Sequence, residues 1–146
     1  MESISLIENA IEFLLSGQTA RAAHLIQEGC PHIPIVVKHR RYTTEQKMQL
    51  FYSDGFIDRY SGERLLNPGV LKVLSHYCPD EFPYHPHWKM TDTHAAYWEL
   101  TPTVDHIIPV ALGGVDDESN WVTTSMLHNQ IKNIWTLEQL NWSLHE

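Results

Sequence analysis

The 146-residue sequence is poor in cysteine, in basic residues and in long apolar runs. Its two cysteines, Cys30 and Cys78, cannot form a disulfide framework or a four-cysteine zinc site. No apolar run approaches the ~18 residues that a membrane-spanning helix requires. The first residues also lack the basic region and the cleavage site of a signal peptide. We therefore expect a cytoplasmic protein that does not enter a membrane.

Basic residues are outnumbered by acidic ones, ten to eighteen, which gives a formal net charge of −8. This balance by itself argues against a non-specific binder of polyanions. Apolar residues make up 42% of the chain, beside seven glycines and eight prolines, and this composition excludes collagen-like and disordered proteins. The unusual feature is the ten histidines, which are candidates for chemistry.

The N-terminal part of the chain has a helical pattern. Ile4, Ile7 and Ile11 recur at three- and four-residue steps, and Gly17 stands where such a helix would end. Thr19 can cap a second short helix. We expect residues 1–50 to form a helical N-terminal extension and residues 51–146 to form a second domain. The extension is a candidate surface for a protein partner or for a homodimer.

The densest basic run of the chain follows, at Lys38-His39-Arg40-Arg41. Such a run is typical of a solvated face, or of contacts with phosphate groups. Thr43 and Gln46 have capping-box spacing and predict a helix from Glu45 to about residue 52.

Histidines and a cysteine cluster loosely between residues 76 and 87. His76, Cys78, His85 and His87 match no common zinc-ligand spacing, and prolines separate them. A structural zinc is therefore not expected there.

The most informative stretch runs from residue 103 to residue 132. Asp105 and His106 stand side by side on a predicted strand, and Pro109 with Gly113-Gly114 predicts a turn soon after. Asn120 begins a run that becomes a helix, on which Ser125, Asn129 and Lys132 share a face. Carboxylate and amide oxygens suit Mg²⁺ or Mn²⁺, and a histidine beside them suits the role of a base.

This stretch resembles the motif of the HNH endonucleases, which have the ββα-metal nuclease fold. Asn120 falls fourteen residues after His106 and Asn129 falls twenty-three after it, as in the asparagine-ended subtype. The resemblance implies an α+β fold: a ββα-metal core with the N-terminal helical extension and flanking helices. This sequence lacks the two Cys-x-x-Cys pairs that many members of the family carry. Ser125 and His128 stand at the positions of the second pair.

The resemblance also implies a role for each motif residue. Asp105 and Asn129 would bind the metal ion, Mg²⁺ or Mn²⁺, and His106 would be the general base that activates water. Asn120 would hold the loop that presents His106. His128 is an alternative to Asn129, because a shift of one residue in the helix would exchange the two.

We therefore expect a metal-dependent endonuclease that acts on DNA and leaves 5′-phosphate and 3′-hydroxyl ends. The alternatives are a nuclease subunit or toxin-like effector that needs a partner, and a non-catalytic nucleic-acid-binding module that retains the fold. Because the net charge is acidic, substrate binding requires a local positive path. Its candidate residues are Lys132, Arg59, Arg64, Lys38, Arg40 and Arg41.

Overall fold

A computed structural model describes residues 3–37 and 39–146. It has a mixed α+β architecture, with seven α-helices and one small two-stranded antiparallel sheet in these residues. No helix in these ranges is both long and apolar enough to cross a membrane. The chain divides into two compact units, Met1–Ile35 and Val36–Glu146.

The first unit is a pair of helices, α1 (Ser3–Leu15) and α2 (Thr19–Gly29). Leu6 and Ala10 of α1 are buried, as is Ala22 of α2. The two helices approach closely where Gly29 lies against Leu6, since a Cβ atom at residue 29 would fall 1.9 Å from Leu6 Cδ1. The predicted pair of N-terminal helices is confirmed.

The second unit contains the sheet. Strand β1 (Pro102–His106) pairs antiparallel with β2 (Trp121–Ser125). Helix α6 (Met126–Lys132) follows β2 directly, and the Ser125 hydroxyl caps it by accepting a hydrogen bond from the backbone N–H of His128 at 3.1 Å. This order corrects the sequence interpretation in one respect, because a strand lies between Asn120 and the helix.

Within the described residues, four further α-helices belong to the second unit, and three of them begin at a side-chain cap. The capping box of Thr43 begins α3 (Thr44–Ser53), Asn67 caps α4 (Pro68–Tyr77), and a second capping box at Thr136 begins α7 (Leu137–Leu140). Helix α5 (Ala96–Leu100) precedes β1.

Helix α3 belongs to the second unit because its side chains build that unit's core. Phe51 packs with Val104 of β1 and Trp121 of β2. The division of the chain therefore falls between residues 35 and 36, whereas the sequence interpretation placed it at residue 50.

Candidate functional site

Asp105 and His106 are the last two residues of β1 and project from opposite faces of the sheet. Side chains alternate along a strand, and the ladder pairs His106 with Trp121 on the face that α3 covers. Asp105 instead meets Lys132 of α6. A ligand that touches both residues must therefore lie at the end of β1, where the chain turns.

The Asp105 carboxylate is buried and held by two donors. Its Oδ2 atom accepts hydrogen bonds from the Tyr60 hydroxyl at 2.6 Å and from the Lys132 ammonium at 2.9 Å. Burial and the negative charge of Asp105 raise the pKa of Tyr60 far above its ordinary value, so the hydroxyl remains a donor. Within the described ranges, the second carboxylate oxygen of Asp105 makes no hydrogen bond.

Lys132 has no solvent-exposed surface, which is rare for a lysine. Its ammonium donates to the carbonyl oxygen of His106 at 2.7 Å as well as to Asp105. Both partners of the ammonium belong to the protein itself, and its burial keeps it from solvent. Lys132 therefore does not contact a phosphate in this conformation. The burial of Lys132 therefore disagrees with its prediction as a substrate-binding residue.

Asn129 lies on α6 beside β1. Its Nδ2 atom donates to the carbonyl oxygen of Val104 at 3.1 Å. Only the amide NH₂ can donate to a carbonyl, so Oδ1 points elsewhere, and no described residue donates to it. Asp105 and Asn129 thus each keep one oxygen without a protein partner, and oxygens of these two kinds suit Mg²⁺ or Mn²⁺.

These two oxygens make a sparse donor set. Across residues 3–37 and 39–146, no group of three or more His, Cys, Asp or Glu side chains is arranged to hold a metal ion. A divalent ion at Asp105 and Asn129 would therefore take its other oxygens from water and from substrate.

His128 is engaged elsewhere. Its Nδ1 atom lies 2.6 Å from Asp58 Oδ2, and its ring stacks edge-on against Trp142. Asp58 also accepts from the backbone N–H of Ser125 and the Thr124 hydroxyl, both at 2.9 Å. Burial acts to raise the pKa of Asp58, but hydrogen bonds from His128 and from backbone N–H groups outweigh it and hold the pKa below its ordinary value. The Asp58 carboxylate thereby ties the turn after α3 to the start of α6.

The His106 imidazole is almost fully buried, with 1% of its surface exposed. Its Nε2 atom lies 2.7 Å from Asp116 Oδ1 and 3.1 Å from the indole nitrogen of Trp121. Its Nδ1 atom is buried without a hydrogen-bond partner in the described part of the chain. Such an atom is uncommon in a folded protein and points to a group that binds there.

Asp116 has three hydrogen-bond partners. Oδ1 faces His106 and Trp121, and Oδ2 accepts from the backbone N–H of Arg41 at 2.6 Å. Partial burial acts to raise the pKa of Asp116, but these hydrogen bonds outweigh it and hold the pKa below its ordinary value. The carboxylate is therefore ionised at neutral pH.

Asn120 holds the loop between the two strands. Its side chain accepts from the backbone N–H of Ile108 at 2.9 Å and donates to the carbonyl oxygens of Ile108 and Val115 at 2.9 and 2.8 Å. Gly114 is required in this loop, because a Cβ atom there would lie 1.9 Å from the Ile108 carbonyl oxygen. This geometry fixes the backbone immediately after His106.

The other candidate substrate-binding cations differ in their surroundings. Arg40, Arg41 and Arg64 are exposed. Arg59 forms an ion pair with Asp54 at 3.0 Å and donates to the backbone carbonyl of His145. Its guanidinium is therefore partly neutralised by a partner within the protein. Lys38 lies outside the described residues.

Four residues of this region were not singled out from the sequence: Tyr60, Asp116, Trp121 and, as a partner of His128, Asp58. Asp116 had one available signal, since it follows Gly113-Gly114 in the loop that returns from His106. The sequence does not say which of the adjacent carboxylates, Asp116 or Asp117, turns inward.

Comparisons with protein-family models, with curated proteins and with solved structures find no significant match to this chain.

Proposed function

We propose that this protein is a metal-dependent endonuclease of the HNH type that hydrolyses DNA phosphodiester bonds. The observation that carries the proposal is the buried Nδ1 atom of His106, which has no partner among the described residues, next to an aspartate with one oxygen that no described residue contacts by a hydrogen bond. The order β1–loop–β2–α6 agrees with the ββα-metal core that the motif implies.

His106 is the general base of the proposed reaction. Its Nδ1 atom takes a proton from the water molecule that attacks phosphorus, and imidazole suits this task because its ordinary pKa of ~6.5 is close to neutral pH. Nδ1 has no exposed surface. The attacking water must therefore enter a buried position to reach it.

Asp105 and Asn129 are the proposed metal ligands, and Mg²⁺ or Mn²⁺ the proposed ion. Once bound, the ion would stabilise the negative charge that develops on the phosphate and on the leaving oxygen. Asp105 would contribute a carboxylate oxygen and Asn129 an amide oxygen, since both lie on the face of β1 that α6 covers. Because the chain offers so few ligands, we expect weak metal binding in the absence of DNA.

The basic run supports a nucleic acid as substrate. The backbone N–H of Arg41 binds Asp116, which in turn contacts His106. The backbone that carries the exposed side chains of Arg40 and Arg41 is therefore linked to the proposed base through Asp116. A short positive segment beside the reaction centre can hold a phosphate backbone although the net charge is −8.

A second candidate function is a nuclease subunit that depends on a protein partner. Helix α1 exposes apolar side chains at heptad-like spacing, and such a stripe is typical of a helix that packs on another chain. The exposed residues are Ile4, Ile7, Ile11 and Leu14. Under this alternative, the isolated chain would cleave poorly and its solution mass would rise when the partner is added.

Cleavage of supercoiled plasmid tests the proposal. We expect nicking or linearisation with Mg²⁺ or Mn²⁺, none with EDTA, and cleavage by His106→Ala that is slower by roughly 10²-fold or more with either metal. His24→Ala is a matched control, since His24 lies exposed on α2. Cleavage that persists at the wild-type rate in His106→Ala would mean that another residue is the general base. A wild-type protein that is inactive with both metals would contradict the proposal for the isolated chain.

A further inference from the structure

We propose that Asp116 is a positioning residue that fixes the tautomer of His106, with the ring proton on Nε2 and the lone pair on Nδ1. The inference rests on the proposed function only for its catalytic consequence. Its structural part concerns the contacts among Asp116, His106 and Trp121.

The contact between His106 and Asp116 determines where the ring proton lies. Asp116 Oδ1 is 2.7 Å from His106 Nε2. An ionised carboxylate only accepts hydrogen bonds, so a lone pair on Nε2 would face a second lone pair across this short distance. The proton therefore lies on Nε2, and Nδ1 is left with the lone pair that a general base requires.

Trp121 creates the competing arrangement. Its indole N–H, which can only donate, lies 3.1 Å from both Asp116 Oδ1 and His106 Nε2. While Asp116 is present, the indole donates to the carboxylate. Without Asp116, the indole N–H would donate to Nε2 and the ring proton would move to Nδ1. The base would then be lost although His106 itself is unchanged.

Asp116 is itself held in place. The backbone N–H of Arg41 donates to Oδ2 at 2.6 Å, which leaves Oδ1 for the imidazole and the indole. The carboxylate therefore orients the imidazole from a position where it need not touch substrate. The arrangement is that of a carboxylate orienting a histidine base in other hydrolases.

The test reads the tautomer directly. Nitrogen-15 NMR of the ¹⁵N-labelled protein at about pH 8, above the ordinary imidazole pKa of ~6.5, distinguishes the two tautomers, and His106→Ala identifies the signals of His106. We expect the Nε2–H form in the wild type, the Nδ1–H form in Asp116→Ala, and a return toward the Nε2–H form in Asp116→Ala/Trp121→Phe, which lacks the competing donor. Asp117→Ala is the matched control. Asp117 lies in the same loop, where its carboxylate accepts a hydrogen bond from the backbone N–H of Ser119, and it does not contact His106.

Cleavage kinetics give the second readout. We expect Asp116→Ala to lower kcat by roughly 10²- to 10⁴-fold, the range that a positioned general base contributes, with little change in KM. The double variant should recover part of kcat, which a purely structural role for Asp116 would not predict. An Nδ1–H form in the wild type, or an unchanged tautomer in Asp116→Ala, would overturn the inference. If the wild type cleaves no substrate, the nuclease proposal fails, and the NMR result still decides whether Asp116 sets the tautomer.

Discussion

The ammonium of Lys132 lies 2.9 Å from Asp105 Oδ2, and neither side chain has more than 4% of its surface exposed. The same ammonium donates to the carbonyl oxygen of His106. A buried cation therefore already neutralises the carboxylate that we assign to the metal ion. Two cations at one carboxylate repel each other, so this contact weakens metal binding.

Replacement of Lys132 with methionine tests this relationship. Lys132→Met keeps an unbranched apolar stem and removes the charge, so we expect Mn²⁺ affinity to rise by on the order of tenfold. Without metal, Asp105 would be left as a buried charge with one donor fewer, and the free energy of unfolding should fall by roughly 3 kcal/mol or more. Mn²⁺ titration and urea unfolding in EDTA measure the two effects.

Lys89→Met serves as the control for Lys132→Met, because Lys89 is exposed. It should change neither quantity. Unchanged or weaker Mn²⁺ binding by Lys132→Met would mean that the ion does not bind at Asp105.

The choice between Asn129 and His128 as the second ligand predicts an order of effects. Asn129 stands beside β1 with an amide oxygen to which no described residue donates, whereas His128 is bound to Asp58. Asn129→Ala should therefore raise the Mg²⁺ concentration needed for half-maximal cleavage more than His128→Ala does. The measurement is the cleavage rate of each variant across a Mg²⁺ series. The reverse order would assign the ligand to His128.

Asp58 predicts a pH dependence of stability. Its pKa in the folded protein lies below the ordinary value of 3.8, so its ionised form stabilises the fold above that value, and the stabilisation is lost as the pH falls through the folded pKa. We expect Asp58→Asn to lower the free energy of unfolding at pH 7 by about 2 kcal/mol, as for the loss of hydrogen bonds to a charged group. The difference from wild type should be constant above about pH 5 and shrink toward pH 3.

Urea unfolding at pH 7, 5, 4 and 3 checks this prediction. Asp80→Asn, at an exposed loop position, should match the wild type throughout. A difference between Asp58→Asn and wild type that grows as the pH falls would have the wrong sign for a carboxylate with a lowered pKa.

The basic run predicts a salt dependence. Replacing Arg40 and Arg41 with alanine should weaken DNA binding and reduce the slope of log K against log salt by about 2, since each phosphate contact contributes ~0.9. The backbone N–H of residue 41 still reaches Asp116 in this variant, so the site should stay intact. Arg21→Ala, on α2, is the control. Equal slopes for the wild type, the double variant and Arg21→Ala would mean that Arg40 and Arg41 do not contact DNA.

Much of the helical structure follows from local sequence signals. The capping box at Thr43 lies where the sequence predicts it, and the capping box at Thr136 and the Asn67-Pro68 start are signals of the same local kind. Each depends on contacts within one turn of helix, and such contacts can be recognised from residue spacing alone.

What the sequence did not predict depends on residues far apart in the chain. The motif implies a second strand, but the residue pattern after Asn120 predicted a helix there, because Trp121–Ser125 forms β2 only by pairing with β1. Helix α3 joins the second unit because Phe51 packs on that sheet. At the site, the burial of Lys132 follows from its position facing Asp105, and the role of Asp116 from a loop that returns to His106. None of these contacts leaves a periodic pattern in the sequence.

His106 is the proposed general base of metal-dependent DNA hydrolysis. The most direct test of this role is the ratio of initial nicking rates of wild type and His106→Ala on supercoiled plasmid with saturating Mn²⁺, followed by treatment of the nicked product with DNA ligase. We predict a ratio of roughly 10² or more, as expected for a general base, and nicks that ligase seals because they carry 5′-phosphate and 3′-hydroxyl ends. Equal rates for the two proteins, or no metal-dependent nicking by the wild type, would contradict the account.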